Sequence, residues 1–293
     1  MSPYQIYPKL EVKQIHIHCA DNTTLAGSIY QADYIKGAVL IAPATGIKRQ
    51  FYHHFATWLA EHGYATITYD NQGIGDSLKG SIKLCPSSLV SWGQIDQTAA
   101  LERLISEFPN TTYQLVGHSA GGQLVGLMDN CEQLKSMFNV ACSSGSLRNL
   151  KGSYKLKAYF FMYTFIPMNN LLLGYTNTPT LNMGEPLPKK VAAQWSEWCR
   201  HTGYVANALG KEVKQHHYND LKIPSMWVNA IDDDIAVNEN VDDMTRVFKN
   251  ISVERLILNP QKENTPEIGH MKFFSRNNSH LWKYALRWLD RYN

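Results

Sequence analysis

The stretch Tyr113-Gln114-Leu115-Val116-Gly117-His118-Ser119-Ala120-Gly121-Gly122 decides how this chain reads. An apolar run enters a Gly-X-Ser-X-Gly turn, the way a buried strand delivers a serine to the end of a sheet. The flanking glycines let neighbouring backbone approach without Cβ clashes, so the serine hydroxyl stands clear. Gln123-Leu124-Val125-Gly126-Leu127-Met128 continues the pattern as a helix, whose N-terminal amides are set to face an incoming anion.

A serine hydroxyl is a poor nucleophile at neutral pH and needs a base and a group that orients the base. In a strand-serine-helix elbow the acid and then the histidine follow the serine in chain order. The apolar segment Met226-Trp227-Val228-Asn229-Ala230 runs into Ile231-Asp232-Asp233-Asp234, which supplies the acid. Three adjacent carboxylates do not all reach one imidazole, and burying them together would raise at least one pKa. One is expected at the site and two in solvent.

Beyond that strand only His270 and His280 remain. His280 falls in the helical pattern of Leu281, Ala285, Trp288 and Leu289. His270 lies instead in the loop Glu267-Ile268-Gly269-His270-Met271, and loops carry catalytic groups far more often than helix interiors, so His270 is the expected base. No set of histidines or cysteines has zinc-ligand spacing, and neither a metal nor a cofactor is implied.

The surrounding chain alternates strand and helix patterns. Val12 to His18 and Thr24 to Tyr30 flank the turn signal Asp21-Asn22 as an opening hairpin. Gly37 to Ala42 and Tyr64 to Tyr69 read as buried strands around a helix carrying Tyr52, Phe55, Ala56 and Leu59. Leu101, Leu104, Ile105 and Phe108 mark a helix that ends before Pro109. The expectation is an α/β fold with a mostly parallel central sheet and helices on both faces.

After the strand-like Phe138-Asn139-Val140-Ala141-Cys142, about seventy-five residues interrupt the alternation, far more than a connecting loop needs. Residues 146–220 are therefore expected to form an inserted helical cap on a core of residues 1–145 and 221–293. The aromatic and methionine content of Tyr159 to Ile166 suits either an apolar acyl pocket or simple packing onto the core. The run is broken by Pro167 and Asn169-Asn170, which excludes a membrane span and leaves interfacial contact with lipid open, without a basic amphipathic face to support it.

These residues together resemble the α/β-hydrolases, most of all the serine aminopeptidase and monoacylglycerol-lipase-like branch with its uncharacterised bacterial hydrolases. The likeness rests on Ala42-Pro43-Ala44-Thr45-Gly46, on Tyr69-Asp70-Asn71-Gln72-Gly73-Ile74-Gly75-Asp76-Ser77, on the elbow, on the aspartate run, and on Ile268-Gly269-His270-Met271-Lys272-Phe273-Phe274. It implies Ser119 as nucleophile and His270 as base. Ala230 occupies the small position of the family's acid strand, which implies Asp233 as the acid, with Asp232 and Asp234 as alternatives if the turn is shifted by one residue. It also implies an oxyanion hole from the backbone amides of Thr45 and Ala120. The chain departs from the family at Pro43-Ala44, where His-Gly is usual, and at Gln72, where an arginine is common.

Net charge is +3 from 28 basic and 25 acidic residues, with no basic block beyond Lys189-Lys190, which argues against nucleic acid as a partner. Five scattered cysteines without a C-x-x-C pair fit a reducing compartment, and Met1 to Pro8 shows neither a basic leader nor an apolar core, so a cytoplasmic protein is expected. The expected activity is cleavage of a carboxylic ester or thioester of a small-molecule acyl substrate through an acyl-enzyme on Ser119. Acyl transfer from the same intermediate to an alcohol or amine, and a silent binding protein on the same fold, are the alternatives.

Overall fold

The computed structural model describes residues 10–293, so the amino-terminal residues read for a leader lie outside the described residues. Strands β1 (Glu11–His18) and β2 (Thr24–Gln31) form the expected hairpin, with Asn22 at positive φ and the Asp21 carboxylate accepting from the Thr23 amide. Strands β3 (Gly37–Ala42), β4 (Tyr64–Tyr69), β5 (Tyr113–His118) and β6 (Leu134–Val140) follow. Tyr175–Thr176 (β7) and Leu187–Pro188 (β8) pair as a short separate ribbon, and β9 (Pro224–Ala230) and β10 (Ser252–Leu258) complete the main sheet.

The sheet order is β1-β2-β4-β3-β5-β6-β9-β10. Every pairing from β4 to β10 is parallel, and β2 alone runs against its neighbours on both sides. All residues of β3 and β4 are buried, the continuous pattern of strands covered on both faces. Helix α1 (His53–Glu61), which links β3 to β4, buries Phe55, Ala56, Leu59 and Ala60. Before β5 a helical run opens with α2 (Leu89–Ser91) under a Ser88/Ser91 capping box, loosens into a π-helical turn at Trp92–Gln97, and continues as α3 (Thr98–Glu107).

The helix expected over Gln123 to Met128 does not form. Helix α4 is only Ala120–Gln123, followed by a 3-10 turn at Val125–Leu127. The Tyr218 hydroxyl donates to the Gln123 carbonyl at 2.7 Å, taking the acceptor that a continuing helix would offer to Leu127, whose amide bonds to Leu124 instead. Gly126 lies flat on the Tyr218 ring, where a Cβ would overlap the aromatic carbons.

Between β6 and β9 the chain folds as α5 (Gly152–Phe160), a π-helical turn at Phe161–Phe165, α6 (Ile166–Leu172), the ribbon, and α7 (Lys189–Cys199). After β9 come α8 (Asn238–Thr245), β10 and the C-terminal α9 (Trp282–Arg291), which buries Trp282, Ala285, Trp288 and Leu289. None of the helices in the described residues is long and apolar enough to cross a membrane.

Candidate active site

The serine of the elbow sits at φ 48°, ψ −114°, a conformation that costs a non-glycine residue about 1–3 kcal/mol and persists only where its surroundings impose it. The surroundings here are close. A Cβ on Gly121 would overlap the carbonyl of Ala42, and one on Gly117 would lie 2.6 Å from the Gly122 amide. The glycines let α4 start hard against the end of β3, bringing Ser119 and Ala120 beside the loop that carries Thr45. The Ser119 amide is tied to the Val140 carbonyl at 2.9 Å, fixing the elbow to β6 as well.

His270 Nε2 lies 3.1 Å from Ser119 Oγ, and His270 Nδ1 lies 2.9 and 3.1 Å from the two carboxylate oxygens of Asp233. Both carboxylate oxygens accept, so Nδ1 carries the proton and the Nε2 lone pair faces the serine hydroxyl. Asp233 Oδ1 also accepts from the amides of Ile235 and Ala236, each at 2.8 Å. Burial alone would raise this carboxyl, but the adjoining His270 charge and these hydrogen bonds outweigh it and hold it below the ordinary carboxylate range.

The structure separates the three aspartates. Asp233 is buried, and Asp232 and Asp234 are exposed. Asp232 is nevertheless engaged, because its Oδ2 accepts from the Ile268 amide at 2.9 Å and pins the loop two residues before the histidine. His280 is exposed at the surface. Ser143 and Ser144, which also follow a strand-like run, are buried, with their hydroxyls directed at Ile235 and Asn240.

On the other side of Ser119, the amides of Thr45 and Ala120 have no hydrogen-bond partner among the described residues. The neighbouring Ala44 amide is engaged, donating to the Tyr52 hydroxyl at 2.9 Å. Ile47 closes the turn onto the Ala44 carbonyl, with Gly46 at φ 72°. Proline at 43 lacks an amide hydrogen, so the loop shapes itself with one donor fewer.

Two residues that the sequence did not single out join these loops. His118, wholly buried inside the elbow, lies 2.8 Å from Tyr52 Oη through Nδ1 and 2.9 Å from the His270 carbonyl through Nε2. Burial, and then the charge of His270, pull the pKa of His118 down to about 3. Phe274 packs against His118, Tyr52 and Phe55 with ring centroids 4.8 to 5.2 Å apart, anchoring the His270 loop from behind. The available signal was a histidine, rather than an aliphatic residue, between the elbow glycine and serine.

Gln72 does not leave its loop without a cation. Arg49, also buried, pairs with Asp70 and Asp76 and bonds Ser28 and Gln14, so the charge comes from the loop after β3. Among the described residues no group of three or more His, Cys, Asp or Glu side chains is arranged to hold a metal ion. All five cysteines are unpaired.

The family model for serine aminopeptidase S33 matches residues 33–149, from the loop before β3 through the elbow. No curated protein sequence matches the chain. Among solved structures, a soluble variant of monoglyceride lipase from Saccharomyces cerevisiae is similar with a TM-score of 0.67 at 12% identity, covering 100% of this chain and 97% of that one. An esterase from Pyrococcus furiosus aligns with a TM-score of 0.60 at 14% identity over 97% of this chain and 93% of its own. The α/β-hydrolase GrgF from Penicillium sp. sh18 aligns with a TM-score of 0.59 at 17% identity over 96% and 99%.

Proposed function

We propose that the chain, which shares the fold of the α/β-hydrolases, is a serine hydrolase of carboxylic esters or thioesters. The observation that carries the reading is the line from Ser119 Oγ through His270 to Asp233, at a serine held in strained backbone. Ser119 Oγ adds to the acyl carbonyl as its proton passes to His270 Nε2, and the imidazolium is stabilised by Asp233. The proton then goes to the departing alkoxide or thiolate, leaving the acyl group on Ser119. Water, deprotonated by His270, releases the acid and restores the serine. The free amides of Thr45 and Ala120 would hold the developing oxyanion, an interaction whose loss typically raises the barrier by about 2.7–4 kcal/mol.

Residues 146–220 act in this reading as a cap over the site. Supporting this, the Glu185 amide donates to the Gly46 carbonyl at 2.8 Å and its carboxylate pairs with Lys48, tying the insertion to the loop of Thr45. Tyr154 at the start of α5 has its hydroxyl pKa raised by burial and by the nearby charges of Asp233 and Asp234. A peptidase reading has less support, because Glu185, Glu197 and Glu212 are dispersed and engaged with Lys48, Arg200 and Gln194.

Labelling by a fluorophosphonate probe tests the proposal without a guessed substrate. The wild type should label and turn over a short-chain aryl ester, and Ser119→Ala should do neither while keeping its unfolding temperature. A wild type that neither labels nor turns over, or an alanine variant that labels as before, removes Ser119 as the nucleophile.

A further inference from the structure

From Gln133 to Gly184 the sequence contains no aspartate or glutamate. Within this stretch α5, the π-helical turn and α6 run on without a break over Gly152 to Leu172, roughly 30 Å of helix. Phe161, Met162 and Ile166 are buried against the rest of the protein. The opposite side is also apolar yet lies in solvent: Leu156 is 74% exposed, Leu171 82% and Leu172 72%, with Phe160, Tyr163 and Met168 exposed between them. A contiguous apolar surface of this kind marks an interaction site.

Four lysines border it. Lys157 is exposed on α5. Lys189 and Lys190 open α7 beside α6, where Asn170 donates to the Lys189 carbonyl. Lys83 lies against Gly174 just past α6, next to Leu84, which is 83% exposed. None of these four lysines has a carboxylate within ion-pair distance among the described residues. Lys83 and the lysine pair are distant in sequence from α5, which is why no basic amphipathic face was legible there.

We propose that this face docks the protein on an anionic phospholipid surface, with α5 and α6 lying in the membrane plane. Leucine and methionine enter the acyl boundary, the aromatic rings sit at headgroup depth, and the lysines meet the phosphates. A second copy of the chain fits less well, because a two-fold contact would set these unpaired lysines against one another. The inference is independent of the reaction proposed above, and binding is read without turnover.

The experiment is co-sedimentation of the full chain with phosphatidylcholine vesicles with and without phosphatidylserine. The wild type should partition to the phosphatidylserine vesicles and be released by salt. Leu171→Asp/Leu172→Asp should weaken partitioning at least about tenfold, with thermal unfolding unchanged. Lys189→Glu/Lys190→Glu should weaken it as well, and that pair carries the test if the leucine variant fails to fold. A wild type that stays in the supernatant, or variants that partition as tightly, overturns the proposal. So does a wild-type dimer, lost in the leucine variant, without vesicle binding, which would assign the face to a second copy.

Discussion

Tyr52 and His118 share a 2.8 Å hydrogen bond whose direction is fixed from both ends. The His270 carbonyl can only accept, so His118 Nε2 carries the proton, and its Nδ1 must then accept from Tyr52. The Tyr52 hydroxyl in turn accepts from the Ala44 amide. One polarised chain thus connects the loop of Thr45 to the loop of His270 across the floor beneath Ser119.

Tyr52→Phe removes the middle of that chain and leaves the Ala44 amide and His118 Nδ1 unpaired and buried, each at about 1–3 kcal/mol. We expect kcat for a short aryl ester to fall about 10- to 100-fold with KM little changed. Imidazole 15N shifts should show His118 Nδ1 losing its hydrogen bond while Nε2, held by the His270 carbonyl, keeps the proton. Unchanged kcat with the Nδ1 bond lost would mean that the chain serves stability alone.

Asp233→Asn should lower kcat by about four orders of magnitude, because an amide favours the wrong imidazole tautomer. Asp234→Asn, with its side chain in solvent, should leave turnover near wild type. Asp232→Ala should fall between them, since it releases the Ile268 amide and loosens the His270 loop. Steady-state kinetics of the three on one substrate makes the comparison internal, and a dominant loss at Asp234 would break the assignment.

Burial keeps His118 neutral in the folded protein down to about pH 3, whereas an unfolded histidine takes a proton near 6.5. Between those values the unfolded chain binds one more proton at this site, so stability falls as pH falls, by about 1.4 kcal/mol per unit. His118→Gln should lower the slope of unfolding free energy against pH by about one proton between pH 6 and 4. Denaturant titrations of both proteins across that range, giving parallel slopes, would contradict the buried neutral imidazole.

Asp96 in the π-helical turn is wholly buried, with one oxygen accepting from the Gln72 amide and the other without a partner. Burial raises its pKa well above the usual value. The folded protein keeps this proton after the unfolded chain has lost it near pH 4, so its contribution to stability declines as pH rises from there. Asp96→Asn lacks that decline. Its unfolding temperature relative to wild type should rise from pH 4 to pH 8, and a constant difference would exclude a protonated carboxyl.

The core α/β order and the strands from Gly37 to Ala42 through Met226 to Ala230 were legible because each rests on local signals. The choice of Ser119 and His270 as candidates rests on signals of the same kind, whereas Asp233 was singled out among three aspartates only by the family resemblance. Apolar runs mark buried strands, glycines mark the elbow, and chain order limits the acid and base to a few residues. Contacts between distant segments decided the rest. The helix after the elbow stops at Gln123 because Tyr218, far along the chain, takes its carbonyl. Arg49 fills the place for which Gln72 gave no cation. His118 links Tyr52 to the His270 loop, and the lysines flanking α6 come from three separate segments. Periodicity and motif spacing encode what a residue does within its own element, whereas hydrogen-bond partners and surface charge depend on which elements the packed sheet brings together.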